Sequence, residues 1–169
     1  MTVTQPPVAE PAGTKRPLRT ADYPVRVPLA TRWADNDSYG HVNNAVYYQY
    51  FDTVVNTWLS RRAGVRASES TAIGVVAESG CRYLREVSYP QELLIGLGCE
   101  RLGRSSITYR LAVFLPDAVD GSAHQAAAVG RFVHVYVDRE ERRPVPIPQA
   151  VRAAVEAELL STANSGGGQ

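Results

Sequence analysis

Four apolar pairs, Val46/Tyr47, Tyr50/Phe51, Val54/Val55 and Trp58/Leu59, recur every fourth residue. That spacing makes a wide helical stripe and contradicts the alternation of a strand. Gln49, Asp52, Thr53, Asn56 and Ser60 fill the other side. Asn43 stands where an N-cap belongs, and Gly64 follows Arg61 and Arg62 where a helix should stop, which predicts a long helix ending near residue 63. Its first turns carry Tyr47, Tyr48, Tyr50 and Phe51, pointing in nearly all directions. A helix so aromatic around its circumference is expected to have a sheet wrapped about it.

The remainder reads mostly as strands. Residues 25–33 alternate, with Val25, Val27, Leu29 and Thr31 on one face, and Pro28 marks an edge or bulged strand. Further strands are expected over 73–86, with a bend near Ser79 and Gly80, then 92–101, 105–115 and 123–139. Ser88-Tyr89-Pro90 is read as a turn, Leu102-Gly103-Arg104 as a tight hairpin and 116–122 as a longer loop. Pro144, Pro146 and Pro148 end the sheet, and Val151, Val155 and Leu159 space a short amphipathic helix over 149–160. The expected order is strand, long helix, four strands as an antiparallel meander, then a terminal helix. This is an α+β arrangement of five antiparallel strands around one long helix. Its open edges favour dimerisation.

At 169 residues the chain fits one domain, and a hydrophobic fraction of 44% supports a core. Residues 1–22, with Pro6, Pro7, Pro11, Gly13 and Pro17, are expected to form a loosely attached arm. The domain is then 23–162 and the tail 163–169. A net charge of +1 gives no footprint for nucleic acid or a membrane surface. No apolar run is of membrane-spanning length, and the N-terminal arm reads as lacking a signal-peptide apolar core. Cys81 and Cys99 fit a reducing cytoplasm better than a disulfide scaffold.

The chemistry concentrates just before the long helix, in Asp35-Asn36-Asp37-Ser38-Tyr39-Gly40-His41-Val42-Asn43-Asn44. Polar groups crowded at a helix N-terminus meet outward N–H groups and a favourable dipole. The N–H groups of Val42, Asn43 and Asn44 are expected to polarise a carbonyl. Gly40 allows close backbone approach or a positive φ. His41 either hydrogen-bonds a substrate or water, or is satisfied by backbone. Asn43 serves as the cap, which leaves Asn44 as the residue to touch ligand. Asp35, Asp37 and His41 lie close enough to raise a metal reading, but no further ligands show paired spacing, so neither metal nor cofactor is expected.

This segment, followed by Tyr47, Tyr48 and Phe51-Asp52, resembles the hot-dog-fold acyl-CoA thioesterases of the 4-hydroxybenzoyl-CoA thioesterase type. Gly103-Arg104-Ser105-Ser106 supports the resemblance, which covers roughly residues 23–140. It implies a hot-dog fold and an acyl-CoA substrate at the interface of a homodimer or a dimer of dimers. It further implies that Asp37, three residues before Gly40, is the catalytic carboxylate. The hairpin residues Arg104, Ser105 and Ser106 would contact the CoA phosphates, and Tyr47 the substrate. Asp37 would act as general base on water or attack directly to give a mixed anhydride; the residues do not choose between them.

Two competing readings are a hot-dog hydratase or dehydratase and a catalytically silent acyl-CoA-binding domain. The first usually pairs Asp and His five residues apart with an intervening Pro, whereas Asp37 and His41 lie four apart with none. The second is not excluded by fold.

Overall fold

The long helix, α1, spans Asn44–Ala63 and buries Val46, Tyr47, Tyr50, Phe51, Val54, Val55, Trp58 and Leu59, the eight residues of the apolar stripe. Asn43 caps it by accepting from the Ala45 N–H, and Gly64 ends it in the left-handed conformation at φ 59°. The computed structural model describes residues 18–66, 70–116 and 124–160. Most of the expected arm, all but the first residue of the expected 116–122 loop, and the tail lie outside these.

Five strands form one antiparallel sheet: β1 (Val25–Ala30), β2 (Ala72–Tyr83), β3 (Glu92–Leu102), β4 (Ser106–Phe114) and β5 (Ala126–Asp138). A second helix, α2 (Gln149–Glu158), follows. The sheet curls around α1 in the expected hot-dog fold, with Leu93, Ile95, Leu97, Ile107, Tyr109 and Leu111 packed against the helix stripe. Gly130 is what lets α1 lie so close: a Cβ there would stand 2.4 Å from the Phe51 ring. The other face of the sheet is covered locally by the chain before β1. Leu18 O accepts from Ala126 N (2.9 Å), and Tyr23 packs edge-on against Phe114 over Gly96. This two-sided cover is why the middle of β3 is continuously buried.

The expected meander holds only for β3-β4-β5. The strand order is β1-β3-β4-β5-β2, so β2 pairs with β5 and not with β3. The eight residues 84–91 make this possible. Three strand spacings are about 14 Å, well within their extended reach of about 27 Å. The crossing is anchored by Leu84 and Arg85, whose N–H groups both donate to Ala127 O, and by buried Val87. The bend expected near Ser79 and Gly80 is a bulge between Val76 and Glu78. The first strand stops at Ala30, and Trp33–Asp35 form a single 3-10 turn.

β1 and β2 run the same way, so Ala30, Tyr83, Glu92 and the start of α1 share one end of the sheet. The 103–105 hairpin, the end of α1 and α2 share the other. α2 closes that end through buried Val151 and Val155, a Trp58 Nε1–H bond to Glu158 (2.9 Å) and a Cys99 N–H bond to Leu159 O (3.1 Å).

Candidate active site

The loop between β1 and α1 is built around Asp35. Its side chain is 2% exposed, yet it carries a charge. One oxygen accepts from the Arg32 backbone N–H (2.7 Å) and the Tyr50 hydroxyl (2.7 Å); the other accepts from the Arg32 guanidinium at 2.8 and 3.0 Å. Burial by itself would raise this carboxyl's pKa. The bonds from the Arg32 side chain, Tyr50 and the Arg32 backbone outweigh it and hold the pKa below the ordinary value. The Asp35 carbonyl also accepts from Asn43 N–H (2.8 Å). One residue therefore ties the loop to both the first turn and the middle of α1.

Asp37 opens a tight turn on this base. Its N–H donates to His41 O (2.8 Å), its carbonyl accepts from Gly40 N–H (3.1 Å), and Oδ1 accepts from Tyr39 N–H (2.8 Å). Gly40 takes φ 84°, a conformation that costs an L side chain. The Asn36 side chain clamps the turn, donating to Gly40 O (3.1 Å) and accepting from Tyr89 N–H (3.0 Å). The Asp37 carboxylate is half-buried, and Oδ2 has no partner among the described residues. Trp33, Tyr39 and Tyr89 leave an exposed aromatic rim around it.

The helix-start donors are fewer than expected. Val42 N–H is spent on Val87 O (2.7 Å) and Asn43 N–H on Asp35 O, while Ala45 N–H is spent on the Asn43 side chain. Asn44 N–H alone of the three expected polarisers has no acceptor among the described residues. The reason is tertiary: the neighbouring segment around Val87 and the buried Asp35 backbone reach the other two. His41 turns outward and pairs with Glu86 at 3.2 Å. Tyr47 is 3% exposed, packed against Tyr50 and Tyr83 inside the core. The Tyr83 hydroxyl donates to Asn44 O (3.0 Å), which fixes the first turn of α1 to the end of β2.

A model of the thioesterase-like superfamily matches residues 31–155, taking in this loop, α1 and the whole sheet beyond β1. The chain belongs to the thioesterase-like superfamily. Among its relatives of known structure is the PA5185 protein of Pseudomonas aeruginosa PAO1, 45% identical, matching 87% of this chain and 99% of that one with a TM-score of 0.80. A thioesterase of Thermus thermophilus, complexed with coenzyme A and Zn, is 32% identical, over 80% of this chain and 95% of that one, at a TM-score of 0.65. The uncharacterized protein YsmA of Bacillus subtilis is 27% identical over 117 residues, 69% of this chain and 75% of its own.

Arg104, Ser105 and Ser106 sit at the far end of this superfamily member's sheet from Asp37. Arg104 is exposed, with its carbonyl accepting from Ile147 N–H (2.9 Å), and Ser105 O accepts from Tyr136 N–H (2.7 Å). The eleven residues of β3 separate the two groups by roughly 33 Å. One chain does not bring them together. Asp35, Tyr50 and Arg32 were not among the expected site residues: nothing in the spacing of Asp35 and Tyr50 marks a hydrogen bond that forms only when α1 folds back over its own loop.

Proposed function

We propose that the chain hydrolyses acyl-CoA thioesters to free acid and CoA. Asp37 activates a water as general base or attacks the carbonyl itself, and the Asn44 N–H polarises that carbonyl. The carbon–sulfur bond breaks and the CoA thiolate leaves, needing no strong acid. One observation carries the reading: a carboxylate oxygen left unspent at a clamped turn, and an unspent N–H at the start of the helix that this turn leads into, in a thioesterase-like chain. The relative complexed with coenzyme A supports the acyl-CoA class.

The separation of Asp37 from Arg104 supports a site shared between two protomers. β2 is an edge strand with Val76, Ala77, Glu78, Ser79 and Gly80 exposed. Antiparallel pairing of two β2 edges sets the start of one beside the end of the other. Each protomer's Asp37 then faces its partner's hairpin end, where Arg104, Ser105 and Ser106 would hold the CoA phosphates. Gly40 lines the approach, and Val42, Asn43 and Tyr47 hold its wall from behind. The unpaired Cys81 and Cys99 go with a cytoplasmic setting.

The test is free-thiol release from a panel of acyl-CoA esters. Asp37→Asn, nearly isosteric, is expected to lower kcat for the best ester by about 10²–10⁴ with the fold unchanged. A loss of only a few-fold means that Asp37 is not the catalytic group. Binding of esters without thiol release means that the chain is a silent acyl-CoA binder.

A further inference from the structure

A cavity of about 290 Å³ lies between the last turns of α1, the start of β2 and the start of α2. Leu59, Ala63, Ile73 and Val151 give it apolar walls, and His134 and Tyr136 of β5 give it a polar one. His134 is 3% exposed, and both of its ring nitrogens are buried without a hydrogen-bond partner among the described residues. The Tyr109 ring meets His134 edge-on at 5.1 Å, and its buried hydroxyl lies near that of Tyr136. Buried polar groups are nearly always paired, so an orphaned imidazole on a cavity wall points to something that enters the cavity. A single structural water is too small an explanation, since 290 Å³ equals the liquid share of about ten waters.

The chemistry of the occupant follows from the groups. Burial pushes the His134 pKa down, against the pull of the nearby Asp52 carboxylate, so the ring is neutral near pH 7 and offers one donor and one acceptor. Gly74 pairs with Tyr136 across β2 and β5. A Cβ on Gly74 would stand 3.4 Å from His134 Nδ1 and 3.5 Å from Tyr136 Oη. Nδ1 and Oη thus both lie over Gly74, and the missing side chain leaves the space in front of them unfilled. A hydroxyl donates and accepts, so it can serve a neutral imidazole and a phenol without bringing a charge into a buried site. Arg66 also lines the cavity, so an anion belongs among the competitors.

We infer that this cavity binds a neutral, hydroxyl-bearing apolar group of about ten heavy atoms or fewer, with His134 and Tyr136 taking its hydroxyl. α1, 20 residues or about 30 Å long, separates the cavity from Asp37 of the same chain. The occupant is either the far end of an acyl group delivered from the partner's Asp37 side or a separate small molecule.

Calorimetric titration of the full chain with phenol, benzene and benzoate tests the binding. Wild type is expected to bind phenol saturably and at least tenfold tighter than either competitor. His134→Phe keeps a buried planar ring, slightly larger, and removes the orphaned nitrogens, so it should fold and bring phenol down to the level of benzene. Gly74→Val fills the space in front of both groups and should abolish phenol binding. Equal affinity for phenol and benzene, tighter benzoate, an unchanged phenol affinity in His134→Phe, or no saturable binding overturns the inference. Only the kinetic arm rests on the thioesterase reading: phenol competitive against acyl-CoA assigns the cavity to the acyl end, and phenol without effect on KM assigns it to a separate ligand. Absence of thiol release with phenol binding intact overturns the thioesterase reading alone.

Discussion

Asp35 and His134 are both ionisable and both buried, and their surroundings treat them oppositely. Asp35 is supplied with four polar contacts and keeps its charge; His134 is supplied with none among the described residues and loses it. The pH consequences have different windows. The folded Asp35 pKa lies below its ordinary 3.8, so the unfolded chain binds more protons there. Its stabilisation is full well above pH 3.8 and is lost as pH falls through that value toward the folded one. Asp35→Asn is expected to lower stability at pH 7 by about 1.5–3 kcal/mol, the worth of hydrogen bonds to a charged group. It should also flatten the acid limb of a thermal-melt series. An acid limb unchanged in the variant would show that Asp35 does not carry it. The His134 pKa is depressed below 6.5, so the unfolded chain takes up its proton first as pH falls. Its contribution is absent above pH 6.5 and becomes destabilising below it. His134→Phe should then be more stable than wild type by about 1–3 kcal/mol, the cost of an unmade buried bond, with the gap widening from pH 7 to pH 5.5.

At the scale of the element, α1 is the most locally encoded part of the chain. Its stripe, its Asn43 cap and its Gly64 stop are each decided within a few residues. The same locality makes one donor testable. Asn44 is the first helical residue, where proline is well tolerated, and Asn43 already has an extended ψ of 139° that proline demands of its predecessor. Asn44→Pro removes the one unspent N–H while leaving the helix start intact. A kcat loss of about 10²–10³ is expected, the usual worth of an oxyanion donor. Asn44→Ala, which keeps the N–H, should stay within a few-fold of wild type. Equal losses in the two variants would assign the effect to the side chain. The donors at Val42 and Asn43 were not distinguishable in advance, because their acceptors, Val87 O and Asp35 O, are chosen by how other segments pack against the helix start.

For the whole molecule, the open β2 edge and the placing of Asp37 and Arg104 at opposite ends of β3, a strand roughly 33 Å long, ask for a second copy. Light scattering after size exclusion is expected to give at least twice the 18.4 kDa chain mass at the concentrations used for activity. A fully active monomer would rule out a site shared between protomers. The limits of the sequence are also clearest at this scale. Hydrophobic period, caps and turn residues act over three or four positions, so α1, α2, the hairpin at Gly103 and the strand segments were readable to within a few residues. The Asp37–Gly40 turn was readable for the same reason, since its bonds close within five residues. Which strand lies beside which is a different kind of fact. β2 meets β5 and not β3 because an eight-residue crossing can be anchored on Ala127 and Val87, and periodicity carries no term for that. The fate of individual polar groups belongs to the same class. Asp35 is charged in the interior because the Arg32 guanidinium grips it and Tyr50 returns over it, His134 is unpartnered because nothing among the described residues reaches it, and Arg104 lies far from Asp37 because β3 runs the length of the sheet between them. Local pattern decided what the elements are; long-range packing decided which groups each element spends and which it leaves for a ligand.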